Sequence, residues 1–180
     1  MLRIAADPTT LERHGLRPRK FALVVSNRVA HKNLATLSEA AAVLEQRGMV
    51  IAVAGGTNRQ VFRHIPGIGF AERRLGRVSD AELRALYENA ACLLFPSRYE
   101  GFGLQLPVLA AHGGAVEEIC ADRALYFDNG DSRSIVRAIE CLLDEEGLAN
   151  DLRMRGRAHA AALSWAASAR ALGDVVRRLL

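Results

Sequence analysis

The stretch of this chain with the plainest chemical content is Tyr99-Glu100-Gly101-Phe102-Gly103-Leu104, a carboxylate set just before two glycines that flank an aromatic. Glycines lack Cβ atoms, so backbone amides there can approach a ligand closely, and successive amides form a nest suited to an anion such as a diphosphate. Lys32 is a second candidate, because it puts a compact positive charge just ahead of a helical pattern that begins near Asn33. Unpaired amides and the helix dipole already favour an anion at such a place. His31 lies beside it. Each motif also has a plainer use: Gly-Phe-Gly as a tight turn with Phe102 packed inside, Lys32 as a solvated lysine. Residue types alone leave both uses open.

These residues can act together only if the fold carries them to one edge. Phe21 to Val25 is wholly apolar and predicts a strand buried on both faces of a parallel sheet. Leu34, Leu37, Ala41 and Leu44 recur at helical spacing up to Gly48, and Met49 to Ala54 predicts the next strand, ending at Gly55 and Gly56. Ser79 followed by Glu82 predicts a capping box opening a helix from Asp80 to about Ala90. Cys92 to Phe95, Val108 to Ala110 and Ala124 to Phe127 predict further strands. From about Asp131 the chain is helical to its end, with breaks at Gly147 and near Ser164. Strands alternating with helices predict an α/β fold, a Rossmann-like doubly wound parallel sheet. Ligands of such a sheet collect beyond the carboxyl ends of its strands. That directs interest to the loops Ser26 to Asn33, Gly55 to Asn58 and Ser97 to Gly103.

A length of 180 residues with 50% hydrophobic composition suits one domain with a full core. Residues 1–20 read as a lead-in and 21–180 as the domain. No run of about 18 apolar residues predicts a membrane span. The net charge of +4 comes mainly from arginines spread along helices, and beyond solvating helix faces it suits weak attraction to phosphates or to an anionic membrane. Basic and aromatic residues do not interleave, so no nucleic acid is expected as a partner. The three cysteines lie far apart, which predicts a reducing, cytoplasmic setting. The Gly-x-Gly-x-x-Gly fingerprint, the lysine-bearing phosphate loop and the Gly-x-Ser-x-Gly elbow are all absent, and no metal-ligating cluster is evident. Neither a metal nor a cofactor is expected.

Taken together, Leu75-Gly76-Arg77-Val78-Ser79-Asp80-Ala81-Glu82-Leu83, Leu86-Tyr87, Ala90 and Leu93-Leu94-Phe95-Pro96-Ser97-Arg98-Tyr99-Glu100-Gly101-Phe102-Gly103-Leu104 resemble the signature of glycosyltransferase family 4. These are retaining enzymes of the GT-B architecture, two facing Rossmann-like domains. Val25-Ser26-Asn27 and His31-Lys32-Asn33 resemble the family's first phosphate-binding loop, and Ala124-Leu125-Tyr126-Phe127-Asp128 its last strand. The resemblance runs over nearly the whole chain from Phe21.

It implies that Glu100 contacts the donor sugar and, with Lys32 on the diphosphate, forms the catalytic pair. The Gly101, Phe102, Gly103 and Leu104 amides, with Ser97, hold sugar and diphosphate. The backbone near Arg77 and Val78 meets the nucleotide base, and Gly55 and Gly56 line the same cleft. Asn27 stands where many members carry an arginine, for which Arg28 is the substitute at hand. The family's second glutamate, a ribose ligand, would fall at Val108. Pro107 to Ala111 instead resembles the strand after that glutamate's helix, so roughly two helical turns, ~8 residues at 3.6 per turn, are expected to be absent between Gln105 and Pro107.

The implied function is transfer of a hexose, with a lean toward mannose, from a nucleotide-diphosphate sugar to a glycan or lipid-linked acceptor. This chain would be the donor-binding half, inactive in isolation. A preceding acceptor domain would be its partner, and the helix from about 164 to 180 would pack toward it. The alternative is a sugar-nucleotide-binding module without catalysis.

Overall fold

The computed structural model describes residues 4–26, 34–56, 72–96, 107–162 and 165–179. Six strands form one parallel sheet: β1 (Phe21–Val25), β2 (Val50–Ala54), β3 (Glu72–Gly76), β4 (Cys92–Phe95), β5 (Val108–Ala111) and β6 (Ala124–Phe127), in the order β3-β2-β1-β4-β5-β6. The helices are α1 (Thr10–Arg13), α2 (Ser38–Gln46), α3 (Asp80–Asn89), α4 (Gly114–Cys120), α5 (Ser132–Asp144), α6 (Leu148–Ala162) and α7 (Trp165–Leu179). This is the expected Rossmann-like doubly wound sheet.

Strand side chains alternate between two apolar layers because successive Cβ atoms point to opposite faces. Ala22 and Val24 of β1 face one layer with Leu37 and Leu44 near α2 and Ile135 and Ile139 of α5. Phe21 and Leu23 face the other with Leu86 of α3 and Val116 of α4. The central strands are apolar throughout since both faces are covered, and each large side chain so buried contributes roughly 1.5–3 kcal/mol.

Several elements lie where the pattern predicts them. β1, β4 and β6 keep their bounds, β2 begins one residue late and β5 runs one residue further. Ser79 caps α3 as expected: its Oγ accepts from the Glu82 amide at 3.3 Å while Glu82 Oε2 accepts from the Ser79 amide at 2.8 Å. The break at Gly147 separates α5 from α6. Two elements were not predicted. β3 is an edge strand whose only buried residue is Leu75, so its polar sequence carries no apolar run. α4 opens on glycines that give no start signal. The lead-in also does more than enter the domain: Thr10 and Leu16 are buried, and Leu16 packs with Phe21 and Leu86. Arg13 of α1 pairs with Glu82 of α3.

β4 and β5 are neighbours, joined by residues 96–107. That is the dozen residues a parallel crossover requires at minimum. The expected shortening between Gln105 and Pro107 falls on positions outside the described residues. Val108, by contrast, is in β5 and 1% exposed.

Candidate functional site

In this strand order the connections leave β1 and β4 toward opposite sides of the sheet, which opens a crevice at their carboxyl ends. The two strands are paired directly, Ala22 with Cys92 and Leu23 with Leu93. The chain that carries Lys32 leaves the end of β1, and the chain that carries Glu100 leaves the end of β4. Asn27, Arg28, Lys32, Ser97, Glu100, Gly101, Phe102, Gly103 and Leu104 themselves lie outside the described residues.

The described part of the edge is built from the ends of β1, β2 and β3. The Ser26 amide donates to the Ala54 carbonyl at 2.8 Å, and the Gly55 amide donates to the Gly76 carbonyl at 2.8 Å. Three strand ends are thereby tied in a row. Gly55 has φ 146°, which L side chains rarely adopt. At Gly56 a Cβ would stand 3.2 Å from Cγ and 3.4 Å from Nε of Arg77, so the arginine stem lies directly across the bare glycine backbone. Arg77 is exposed and has no carboxylate partner among the described residues. Val78 turns inward against the α3-side core. Four predicted residues, Gly55, Gly56, Arg77 and Val78, are therefore brought together, with one cation left unneutralised beside two glycines.

A further group at the end of β5 was missed by sequence reasoning. The Glu117 carboxylate accepts from the Gly113 amide and lies 3.2 Å from His112 Nδ1, and the His112 ring stacks on Tyr126 with centroids 5.3 Å apart. The Gly113 amide first, then His112, hold the Glu117 carboxyl below its ordinary range. Burial and nearby acidic groups push the Tyr126 hydroxyl up to about 12, and that hydroxyl donates to the Ala121 carbonyl at 2.7 Å. The group closes the first turn of α4 and holds an imidazole at the carboxyl edge. The only signal in the sequence was a glutamate four residues after Gly113.

Cys92 and Cys120 are buried and Cys141 exposed, all as free thiols, with burial pushing Cys92 up to about 12. Among the described residues no three His, Cys, Asp or Glu side chains come together as a metal site. No helix among them is long and apolar enough to cross a membrane.

Residues 8–159 match the family described as "Glycosyl transferases group 1". The chain is 27% identical over 171 residues to O-antigen chain mannosyltransferase B of Escherichia coli, covering 86% of this chain and 45% of that protein. It thus spans less than half of that curated relative. Among solved structures, the C-terminal domain of a glycosyl transferase group 1 family protein from Francisella tularensis superposes with TM-score 0.66 at 18% identity, covering 88% of this chain and 94% of that one. Anabaena HepE in complex with UDP and glucose superposes with TM-score 0.71 at 13% identity over 97% of this chain and 54% of that one. At these identities the structural likeness speaks to the fold.

Proposed function

The chain belongs to the glycosyl transferases group 1 family, and from that premise we propose that it is the donor-binding half of a retaining, metal-independent glycosyltransferase of family 4 and GT-B architecture. The reading is supported above all by the adjoining carboxyl ends of β1 and β4, from which the lysine-bearing and glutamate-bearing segments depart. The donor is a nucleoside-diphosphate hexose, and the name of the Escherichia coli relative favours mannose. The acceptor, a glycan or a lipid-linked sugar, sits on a second domain. The apolar side chains that α7 exposes, Leu172, Val175 and Val176, suit contact with that domain. A net charge of +4 suits a cytoplasmic protein that meets an anionic membrane face peripherally.

Transfer breaks the bond between the anomeric carbon and the β-phosphate oxygen, and negative charge grows on the departing diphosphate. Donors aimed at that charge lower the barrier. Lys32 and the Gly101–Leu104 amides fill this role, and Glu100 orients the sugar and stabilises its developing positive charge. The acceptor enters on the face from which the diphosphate leaves, so configuration is retained. The leaving phosphate takes the acceptor's proton. Arg77, unneutralised beside Gly56, adds positive charge on the nucleotide side of the cleft.

Calorimetry of the chain with UDP, GDP and ADP identifies the base. Lys32→Ala should weaken binding of the preferred diphosphate by about tenfold or more, the equivalent of one charge-assisted hydrogen bond. In the protein together with its acceptor domain, Glu100→Ala should slow transfer more than it weakens binding. Unchanged values for both variants would remove these assignments. A second reading, a sugar-nucleotide-binding module without catalysis, is favoured by one observation. Val108, where the family's ribose-binding glutamate would fall, is buried in β5 among the apolar residues of the α3-side core. Tight diphosphate binding without turnover of any nucleotide sugar would decide for it.

A further inference from the structure

The amino edge of the sheet, opposite the proposed donor cleft, carries a concentration of positive charge that the donor reading does not use. Among the described residues Arg13, Arg47, Arg74, Arg84, Arg123, Arg137, Arg155 and Arg177 have carboxylate partners. Arg19, Arg153 and Arg157, like Arg77 and several others, have no carboxylate partner among the described residues, and these three share the amino edge of the sheet.

The geometry that gathers the three is explicit. α6 passes along the amino edge: Arg155 donates to the Asp122 carbonyl at 2.9 Å just before β6 begins, and Ala160 packs against the apolar layer that includes Leu16, Phe21 and Ala90, residues at or just ahead of the starts of β1 and β4. Arg153 and Arg157 lie one turn apart on one face of α6. Arg19 precedes β1 and is fixed from two directions, its amide donating to the Asn89 carbonyl at 2.8 Å and its guanidinium to the Ala90 carbonyl at 2.5 Å. Its φ of 60° is rare for a residue with a side chain, so the surroundings hold this guanidinium in place against local preference. Two acids on and beside α6 are already engaged, Asp151 by Arg155 at 2.8 Å and Asp122 by Arg155 and Arg123.

We propose that Arg19, Arg153 and Arg157 form a binding site for a phosphate group at the amino edge of the sheet, separate from the donor cleft. Three guanidiniums on one patch suit a multiply charged, tetrahedral anion, since each can offer paired N–H donors. Desolvation first, then the like charges of Arg19 and Arg157, pull the Arg153 guanidinium below its ordinary range, and the negative charge of a bound phosphate offsets both. The phosphate comes from a free phosphorylated solute or from a phospholipid headgroup, and the chemistry of the patch is the same for both. The inference is independent of the proposed transferase activity.

The test uses the whole chain carrying Lys32→Ala, so that the donor cleft contributes little. Pyrophosphate is titrated by calorimetry, and phosphatidylcholine vesicles with and without phosphatidylglycerol are co-sedimented. R153Q/R157Q should weaken whichever binding is seen by about tenfold per guanidinium removed. R19G, which keeps the backbone angle, should weaken it similarly, while exposed Arg170 on α7 serves as a control whose change to Gln leaves it intact. Pyrophosphate binding lost in the variants supports a free anion, and loss confined to phosphatidylglycerol vesicles supports a headgroup. Absence of binding to both probes, or equal binding by R153Q/R157Q and its parent at matched thermal midpoints, overturns the site. If the donor reading alone fails, Lys32→Ala has no effect on nucleotides and the arginine comparison still stands.

Discussion

Replacing Gly56 by alanine tests whether the close approach of Arg77 to the β2 turn matters for ligand binding. The added methyl would stand 3.2 Å from Cγ, 3.4 Å from Nε and 3.6 Å from Cδ of Arg77. Carbon pairs favour separations of about 3.5–4.0 Å, so the arginine stem must retreat by a few tenths of an ångström. A long exposed side chain can do this by changing rotamer, and the folded state should lose under about 1 kcal/mol. The guanidinium is displaced with the stem. If it meets the nucleotide diphosphate, Arg77→Ala removes a charge-assisted hydrogen bond of about 1.5–3 kcal/mol, roughly a ten- to hundredfold rise in Kd. Gly56→Ala should reproduce part of that rise and add little in the Arg77→Ala background. Calorimetry on the four proteins of this cycle, with the preferred nucleoside diphosphate, measures the coupling. An unchanged Kd for Arg77→Ala, or the same cost of Gly56→Ala in both backgrounds, would refute the placement of Arg77 in the cleft.

Ser79→Ala removes one half of the α3 capping box and should lower stability by about 1 kcal/mol, read as a shift in the urea midpoint with unchanged slope. Asp7 is held down to about 2 by the Thr9 amide, the Thr9 hydroxyl and Arg13, from an ordinary 3.8, so its contribution is present above the ordinary range and lost as pH falls toward about 2. Asp7→Asn should flatten the thermal midpoint's acid dependence over that interval, and an unaltered acid slope would count against the stabilising contacts of Asp7 with Thr9 and Arg13. Val108→Glu should not restore a ribose ligand, because it would bury a carboxylate among Leu93 and Ala110; a loss of at least about 3 kcal/mol in denaturant unfolding is expected.

What could be read from the chain, and what could not, follows from how each element gains its stability. Strands β1 and β4 lie inside the sheet and are covered on both faces, so burial requires apolar runs and the sequence displays them, while β6, at the other edge, still buries Ala124 and Phe127 at its two ends. β3 sits at the sheet edge and needs only Leu75 inside. Arg73 and Arg74 face solvent, and the one other inward side chain is polar, Glu72, its carboxylate paired with Arg74 and its side chain only 3% exposed, so no apolar periodicity marks the strand. α3 was legible to its first residue because the capping box uses side chains that only a helix start explains. α4 was not, because its start rests on Gly113, with φ 93°, and on a glutamate inside the helix reaching back to it. At the site, Gly55 and Gly56 stood out as residues but not their partner. The contact of Gly56 with Arg77 joins positions 21 apart in sequence, and it exists only because β2 and β3 are paired.

The same pairing explains why the cleft and the arginine patch occupy opposite ends of the molecule. In a parallel sheet every strand points one way, so all loops that follow strands gather at one edge and all that precede them at the other. The carboxyl edge receives the glycines, Arg77 and the strands that lead to Lys32 and Glu100. The amino edge receives Arg19 before β1, Ala90 before β4 and Asp122 before β6, where α6 crosses them. Charge placed on α6 therefore cannot reach a ligand in the cleft without passing the thickness of the sheet. An anion held there would act through the packing of Leu16, Phe21 and Ala160, or by holding the protein to a surface, and in either case without touching the nucleotide. The two proposed anion sites on one small domain thus need no second fold, only the two ends that parallel strands provide.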